Sequence, residues 1–113
     1  MKKYNIGYTQ GTYDLFHVGH LNLLKHAKEL CNYLIVGVNS DELVKEYKNK
    51  ETNIKENDRL AIVDAIKYVD QSLITRTLDK KEIYKDIKFD VIFISDDWKG
   101  NPRWEQTEKD FAK

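Results

Sequence analysis

From Gly11 to His20 the chain reads Gly-Thr-Tyr-Asp-Leu-Phe-His-Val-Gly-His, which brings a hydroxyl, a carboxylate, two imidazoles and two glycines together within ten residues. A short apolar stretch precedes this run and a helical pattern follows it, so it lies where a strand hands over to a helix. The first turn of a helix carries unpaired N–H groups and the positive end of the helix dipole, and both attract phosphate. His17 and His20 add ring donors, and positive charge when protonated. Gly19 has no Cβ to hold a triphosphate off the backbone, Gly11 can take a positive φ at the strand end, and Thr12 supplies a short hydroxyl. Such donors suit a reaction in which negative charge builds on phosphorus.

Two plainer readings stay open for the histidines: a helix-capping pair without a ligand, or part of a zinc site. Zinc needs further ligands at suitable spacing, and His26 and Cys31 lie on a helix with no second cluster elsewhere in the sequence. The strand–loop–helix context favours nucleotide binding over both. His26, mid-helix and outside the run, reads as a surface or packing residue.

Periodicity outlines the elements that must position this run. Tyr4, Ile6 and Tyr8 suggest a first strand, and from His20 onward Leu21, Leu24, Ala27 and Leu30 follow the helical period. Leu34 to Val38 is a continuous apolar run, as expected of a strand covered on both faces of a parallel sheet. Asn39 or Ser40 can cap a short helix near Asp41. The polar stretch from Lys45 to Asn57 reads as a loop. A helix from about Asp58 presents Leu60, Val63, Ala65 and Ile66, gives way around Asp70 and leads to a short strand at Ser72 to Ile74. Asp79 with Glu82 resembles a capping box for another helix, and Val91 to Ile94 forms a fourth buried strand. The alternation predicts one domain over residues 1–113, an α/β fold with a Rossmann-like, doubly wound parallel sheet in three layers, α/β/α. Ligands bind such sheets at the carboxyl ends of the strands. The loops after strands one and four, the second carrying Asp96, Asp97 and Trp98, are therefore expected to open on one edge.

Composition narrows the partners. Nineteen basic and nineteen acidic side chains cancel, so no global field points to nucleic acid or to a membrane surface. The single cysteine, Cys31, forms no internal disulfide, which fits a reducing compartment. No leader-like segment opens the chain and no apolar run reaches membrane-spanning length, so the expected location is cytoplasmic, without membrane insertion.

The run from Gly11 to His20 resembles the signature of the cytidylyltransferase branch of the nucleotidyltransferases that carry a His-x-Gly-His motif. The resemblance continues through Ser40-Asp41-Glu42, Lys48-x-Lys50, Arg59 and Asp96-Asp97-Trp98-Lys99-Gly100, and covers nearly the whole chain. The last motif is most like glycerol-3-phosphate cytidylyltransferases, and less like the choline-phosphate or ethanolamine-phosphate enzymes.

That resemblance implies transfer of a cytidylyl group from CTP to sn-glycerol 3-phosphate, giving CDP-glycerol and pyrophosphate. Mg²⁺ is expected to arrive with the nucleotide, with no protein metal site, and family members commonly pair as homodimers. It implies catalytic roles for His17 and His20. Nucleotide contacts are implied for Gly11, Thr12, Tyr13, Asp14, His17, Gly19, His20, Lys50, Asp97 and Trp98, and substrate contacts for Lys48, Lys81 and Arg59. Arg59 also reads as a structural or site-supporting cation near a helix start. Asp14 is open between capping the loop and orienting a histidine, and Asp97 between a ribose and a metal. Lys45 and Lys55 compete with the Lys48–Lys50 pair, and Lys80 with Lys81. Trp104 reads as packing. Phosphocholine or phosphoethanolamine acceptors, adenylyl transfer of the FAD-synthetase type, and a binding module without turnover are the alternatives. Two departures stand out. The family's Arg-Thr-x-Gly-Ile-Ser-Thr segment is absent, so the sheet is expected to lack its last strand and helix through truncation, and Ser95 replaces a customary glycine.

Overall fold

The computed structural model describes residues 3–93 of the 113-residue chain. The described elements are β1 (Tyr4–Gly11), α1 (Val18–Leu30), β2 (Cys31–Asn39), α2 (Asp41–Lys48), α3 (Glu56–Asp64), β3 (Gln71–Thr75), α4 (Lys80–Ile87) and β4 (Val91–Phe93). The strands form one sheet in the order β3-β2-β1-β4, and every pairing is parallel. The chain works outward from β1 to β3 and then returns to the other side of β1, so the order reverses between β1 and β4. Such a switch point leaves a crevice at the carboxyl ends of the two strands.

Alternation along β2 explains the layering. Leu34, Val36 and Val38 share one core with Leu24 and Ala27 of α1 and Val63 of α3. Ile35 faces the opposite way and packs with Tyr8, Phe89 and Ile83 of α4. With helices on both faces, β2 is buried without interruption from Leu34 to Asn39, as its continuous apolar run requires. Two aspartates fasten strand entries. Asp70 donates its backbone N–H to Leu34 O and accepts the Leu34 N–H at 2.7 Å, and Asp90 does the same with Ile6.

Several boundaries differ from the periodicity. α1 starts at Val18 rather than His20, because His17 is its N-cap. α2 runs to Lys48, so the segment read as loop from Lys45 begins only at Asn49. Ser40 caps this helix by accepting the Leu43 N–H, Asp41 and Glu42 fill its first turn, and Lys45 and Lys48 lie at its negative end. Its apolar side is only Leu43, Val44 and Tyr47, too short a pattern to stand out in the sequence. α3 begins two residues early, at Glu56, without a side-chain cap. Asp79 caps α4 by accepting the Lys81 N–H. No helix among the described residues is long and apolar enough to cross a membrane.

Candidate active site at the carboxyl end of β1

At the carboxyl end of β1 the chain makes a tight loop into α1. Its backbone turns at Tyr13 (φ 54°) and Leu15 (φ 52°), not at Gly11 as the sequence suggests. Left-handed geometry at two bulky side chains is unfavourable and persists only where surrounding contacts impose it. Tyr13 supplies those contacts, since its ring is buried in the core and stands edge-on to His20 at 5.5 Å. Gly11 makes room for that ring: a Cβ there would lie 3.0 Å from Tyr13 Cζ.

The two histidines build the helix start. His17 Nδ1 accepts the Gly19 N–H at 3.0 Å, and the His17 N–H donates to His20 Nδ1 at 3.1 Å, a capping box made of imidazoles. An imidazole whose Nδ1 accepts carries its proton on Nε2 when neutral. Both rings therefore turn an Nε2–H donor away from the cap. They lie 4.0 Å apart between centroids, and Phe16 and Tyr13 hold His20 from the side. The capping and ligand-binding readings of the pair are thus compatible, because they use different nitrogens. Gly19 also makes room within the cap, since a Cβ at this position would come within 2.7 Å of His17 Cε1.

The opposite wall comes from the end of α2 and the segment after it. Asn49 adopts a left-handed conformation (φ 54°) and donates its N–H to Lys45 O, which ends the helix. Lys48 and Lys50 then line one cleft together with Thr12, Tyr13, Asp14, Leu15, His20, Val44, Glu51, Thr52 and Asn53. Lys45 and Lys55, the competing lysines, are not part of this lining.

Asp14 neither caps its own loop nor orients a histidine. Its Oδ2 accepts from the Asn53 backbone N–H at 2.8 Å and from the Asn53 side chain at 3.2 Å, while Oδ1 accepts from the Ile54 N–H at 2.9 Å. The carboxylate thus pins the lysine-bearing segment to the histidine loop. Burial alone would raise the Asp14 pKa, but these N–H donors and the Arg59 charge outweigh it and lower the value.

Arg59 likewise departs from the expected substrate contact. Its side chain is fully buried, with Nε donating to Ile54 O at 2.8 Å, Nη1 to Thr12 O and Asn39 O, each at 2.7 Å, and Nη2 to Asp41 Oδ1 at 2.6 Å. It ties the ends of β1 and β2 to the lysine segment from below, as the site-supporting alternative holds. Asp41 continues the tie by accepting from Thr52 Oγ1 and from the Glu56 N–H. Burial works to raise the Asp41 pKa, and the bonds from Arg59, Thr52 and Glu56 lower it.

Lys81 is exposed near the start of α4, on the face of the sheet opposite α1 and α3, and is not among the residues lining the cleft. Ser95, Asp96, Asp97, Trp98 and Trp104 lie outside the described residues. The described part of β4 runs beside β1, with Thr9 Oγ1 donating to Phe93 O at 3.0 Å. Mid-helix His26 is at the surface and pairs with Glu29. Among the described residues no group of three or more His, Cys, Asp and Glu could hold a metal ion.

The structure adds a polar chain that periodicity does not show. Tyr8, fully buried, donates its hydroxyl to Gln10 Oε1 at 2.7 Å, and Gln10 Nε2 donates to Asn39 Oδ1 at 2.8 Å and to Thr77 O at 3.1 Å. Asn39 Nδ2 donates to Tyr47 Oη at 2.9 Å and to Thr12 Oγ1 at 3.4 Å, and the two hydroxyls lie 2.9 Å apart. Burial, with the neighbouring Tyr13, pushes the Tyr8 phenol well above its ordinary pKa, so it remains a donor. Gly37 has no Cβ because one there would fall on the Tyr8 hydroxyl. The available sequence signal is the polar pair Gln10 and Asn39 at the carboxyl ends of β1 and β2.

A parallel sheet with a cleft beside the carboxyl end of β1, an imidazole-capped helix start and two lysines lining that cleft fit a nucleotidyltransferase-type site. A family model described as cytidylyltransferase-like matches residues 8–112. The chain is 38% identical over 93 residues to a glycerol-3-phosphate cytidylyltransferase of Bacillus subtilis, covering 81% of this chain and 71% of that protein. It is 39% identical over 95 residues, with the same coverages, to a glycerol-3-phosphate cytidylyltransferase of Bacillus spizizenii. A probable ethanolamine-phosphate cytidylyltransferase of Encephalitozoon cuniculi is 33% identical over 104 residues, 92% of this chain and 32% of that one. Among solved structures, a lipopolysaccharide core biosynthesis protein from Thermoplasma volcanium superposes with a TM-score of 0.81 at 27% identity, covering 96% of this chain and 88% of that one. The chain belongs to the cytidylyltransferase-like family.

Proposed function

We propose that the protein transfers the cytidylyl group of CTP to sn-glycerol 3-phosphate and releases pyrophosphate. The observation that carries this reading is the cleft itself, where His20 of an imidazole-capped helix start faces a segment bearing Lys48 and Lys50. The acceptor follows from the two Bacillus relatives and from the Asp96-Asp97-Trp98-Lys99-Gly100 run.

An oxygen of the acceptor phosphate attacks the α-phosphorus of CTP in line. The new O–P bond forms as the bond to the bridging oxygen breaks, and pyrophosphate leaves with that electron pair. No covalent intermediate on the protein is required. The Nε2–H groups of His17 and His20 donate to oxygens on which charge grows in the transition state, and their fixed cap geometry means that they need no reorganisation. Lys48 and Lys50 hold the phosphates of acceptor and nucleotide as point charges. Mg²⁺ arriving with the triphosphate would supply charge neutralisation there. The resemblance extends to a homodimer, which sedimentation can measure.

The test is pyrophosphate release from CTP with glycerol 3-phosphate, phosphoethanolamine or phosphocholine as acceptor, and with ATP replacing CTP. Turnover with CTP and glycerol 3-phosphate is expected. Preference for phosphoethanolamine would move the acceptor, and preference for ATP would overturn the cytidylyl assignment.

A further inference from the structure

Charge in the cleft is not all of one sign. A space that gathers phosphates favours cations, and Lys48 and Lys50 line it. Two carboxylates line the same space, Asp14 and Glu51, and they differ in what remains open to them. Both oxygens of Asp14 are engaged, since they accept from N–H groups of Asn53 and Ile54. Glu51 is exposed and makes no hydrogen bond or ion pair among the described residues.

The backbone that carries Glu51 is nevertheless fixed from both sides. Before it, the Asn49 N–H is bonded back to Lys45 O and ends α2. After it, Thr52 Oγ1 donates to Asp41 Oδ1 at 2.9 Å, and the Asn53 N–H donates to Asp14 Oδ2 at 2.8 Å. Lys50 and Glu51 therefore lie next to each other between tied neighbours, one cation and one anion presented to a single cleft. An open carboxylate in that place repels every phosphate that enters. Repulsion of this kind gives selectivity when the correct ligand offsets it and others do not. A carboxylate only accepts, so the offset has to come from a hydrogen-bond donor or a positive charge on the ligand. A small phosphate ester whose alcohol carries hydroxyls or an ammonium has its phosphate and its donors within a few bonds of each other. The adjacent side chains of Lys50 and Glu51 suit that short spacing.

We propose that Glu51 is a specificity-determining residue for the acceptor: it selects phosphate esters whose alcohol portion bears hydroxyl or ammonium donors, and disfavours esters that bear none. The reaction in which the acceptor takes part rests on the cytidylyl-transfer reading, whereas the selection requires only that small phosphate esters bind the cleft. Lys48 and Lys50 hold the phosphate of any such ester, and Glu51 reads the other end.

Calorimetric titration of the 113-residue chain with glycerol 3-phosphate, phosphoethanolamine and propyl phosphate tests this, the last having the phosphate and the three-carbon chain but no donor. Wild-type protein should bind the two donor-bearing esters several-fold more tightly than propyl phosphate. Glu51→Ala should weaken those two about three- to tenfold, as the loss of one hydrogen bond of ordinary net strength predicts, and leave propyl phosphate unchanged or tighter. Glu51→Gln keeps an acceptor oxygen without the charge, so it should spare glycerol 3-phosphate more than phosphoethanolamine, which tells hydroxyl recognition from ammonium recognition. Glu46→Gln removes the same charge from the exposed side of α2, outside the cleft lining, and should alter none of these affinities. Equal effects of Glu51→Ala on all three esters, the same discrimination lost in Glu46→Gln, or a loss confined to CTP would overturn the proposal. So would wild-type protein that binds none of the esters. Discrimination that depends on Glu51 without pyrophosphate release from CTP would uphold the role of Glu51 and defeat the cytidylyl reading instead.

Discussion

Removing the Arg59 side chain separates a support from a ligand. The guanidinium is completely buried and donates to three backbone carbonyls and one carboxylate, at distances from 2.6 to 2.8 Å. In Arg59→Met the aliphatic volume is largely kept, but Ile54 O, Thr12 O and Asn39 O lose a donor and Asp41 loses its counter-charge. A buried group left unsatisfied costs about 1–3 kcal/mol, and breaking a buried ion pair about 3–5 kcal/mol. Asp41 is 31% exposed and water can reach it, so the pair counts at the low end. Taking the three carbonyls and the ion pair all at the low end gives about 6 kcal/mol, a large share of the roughly 5–15 kcal/mol that stabilises a domain. For a chain of this size each kcal/mol moves Tm by about 4 °C, so Tm should fall by about 25 °C. Arg59→Lys should recover only part of this, because one ammonium cannot span acceptors that the planar fork reaches on three sides. Asp41→Ala combined with Arg59→Met should be less unstable than the sum of the single changes, since no lone charge is left behind. Thermal and urea unfolding followed by circular dichroism give these values. A Tm for Arg59→Met within about 3 °C of wild type, alongside a large rise in KM for the acceptor, would refute the structural role and return Arg59 to the substrate.

Three other expectations follow from the same geometry. His17→Ala and His20→Ala should lower kcat by about a hundredfold or more while CTP affinity changes far less, as for donors that act on transition-state charge. His17→Ala should also cost about 1 kcal/mol through the lost cap, and kcat surviving either change would leave capping as the histidines' only role. Lys48→Ala and Lys50→Ala should mainly raise KM, more so at high salt, and unchanged KM values would remove the pair from the site. Asp14 and Asp41 are both held below the ordinary 3.8. A carboxyl depressed in the folded state contributes stability that is complete above its unfolded pKa and is lost as pH falls through the folded one. Urea midpoints should therefore be level above about pH 5 and drop from about pH 4 downward, with a shallower drop in Asp14→Asn; an unchanged acid limb in that variant would show the carboxylate to be uncoupled from folding.

How much of this was legible depends on the range over which each signal acts. β2 and the two-sided sheet could be read because burial on both faces writes an unbroken apolar run, as in Leu34 to Val38, whereas β4, expected to be buried from a similar run, is half-buried from Val91 to Phe93. The helix starts at Ser40 and Asp79 were legible for a local reason: a cap bonds within three residues of itself. His17 as a cap is equally local, yet histidine is an unusual N-cap and the reading stayed divided between cap and ligand. The end of α2 was missed because three apolar residues make too short a period, even though its charges are ordered for the helix dipole.

What sequence could not supply were partners far apart in the chain. Asp14 meets Asn53 at a separation of 39 residues, Arg59 meets Thr12 at 47, and Gln10 meets Thr77 at 67. Each is a polar side chain whose type is compatible with solvent, ligand or core, and only the fold decides among these. The motif residues consequently divide in a way their adjacency conceals. Gly11 gives the Tyr13 ring its room, Gly19 makes room for the His17 ring, and Asp14 and Arg59 hold the opposite wall, while Thr12, Tyr13, Asp14, His20, Lys48 and Lys50 line the cleft. A signature that reads as one ligand-binding string thus also builds the scaffold around it. Its spacing is strict because packing makes it so: moving Gly19 by one residue would drive a Cβ into the His17 ring and break the cap that aims both imidazoles.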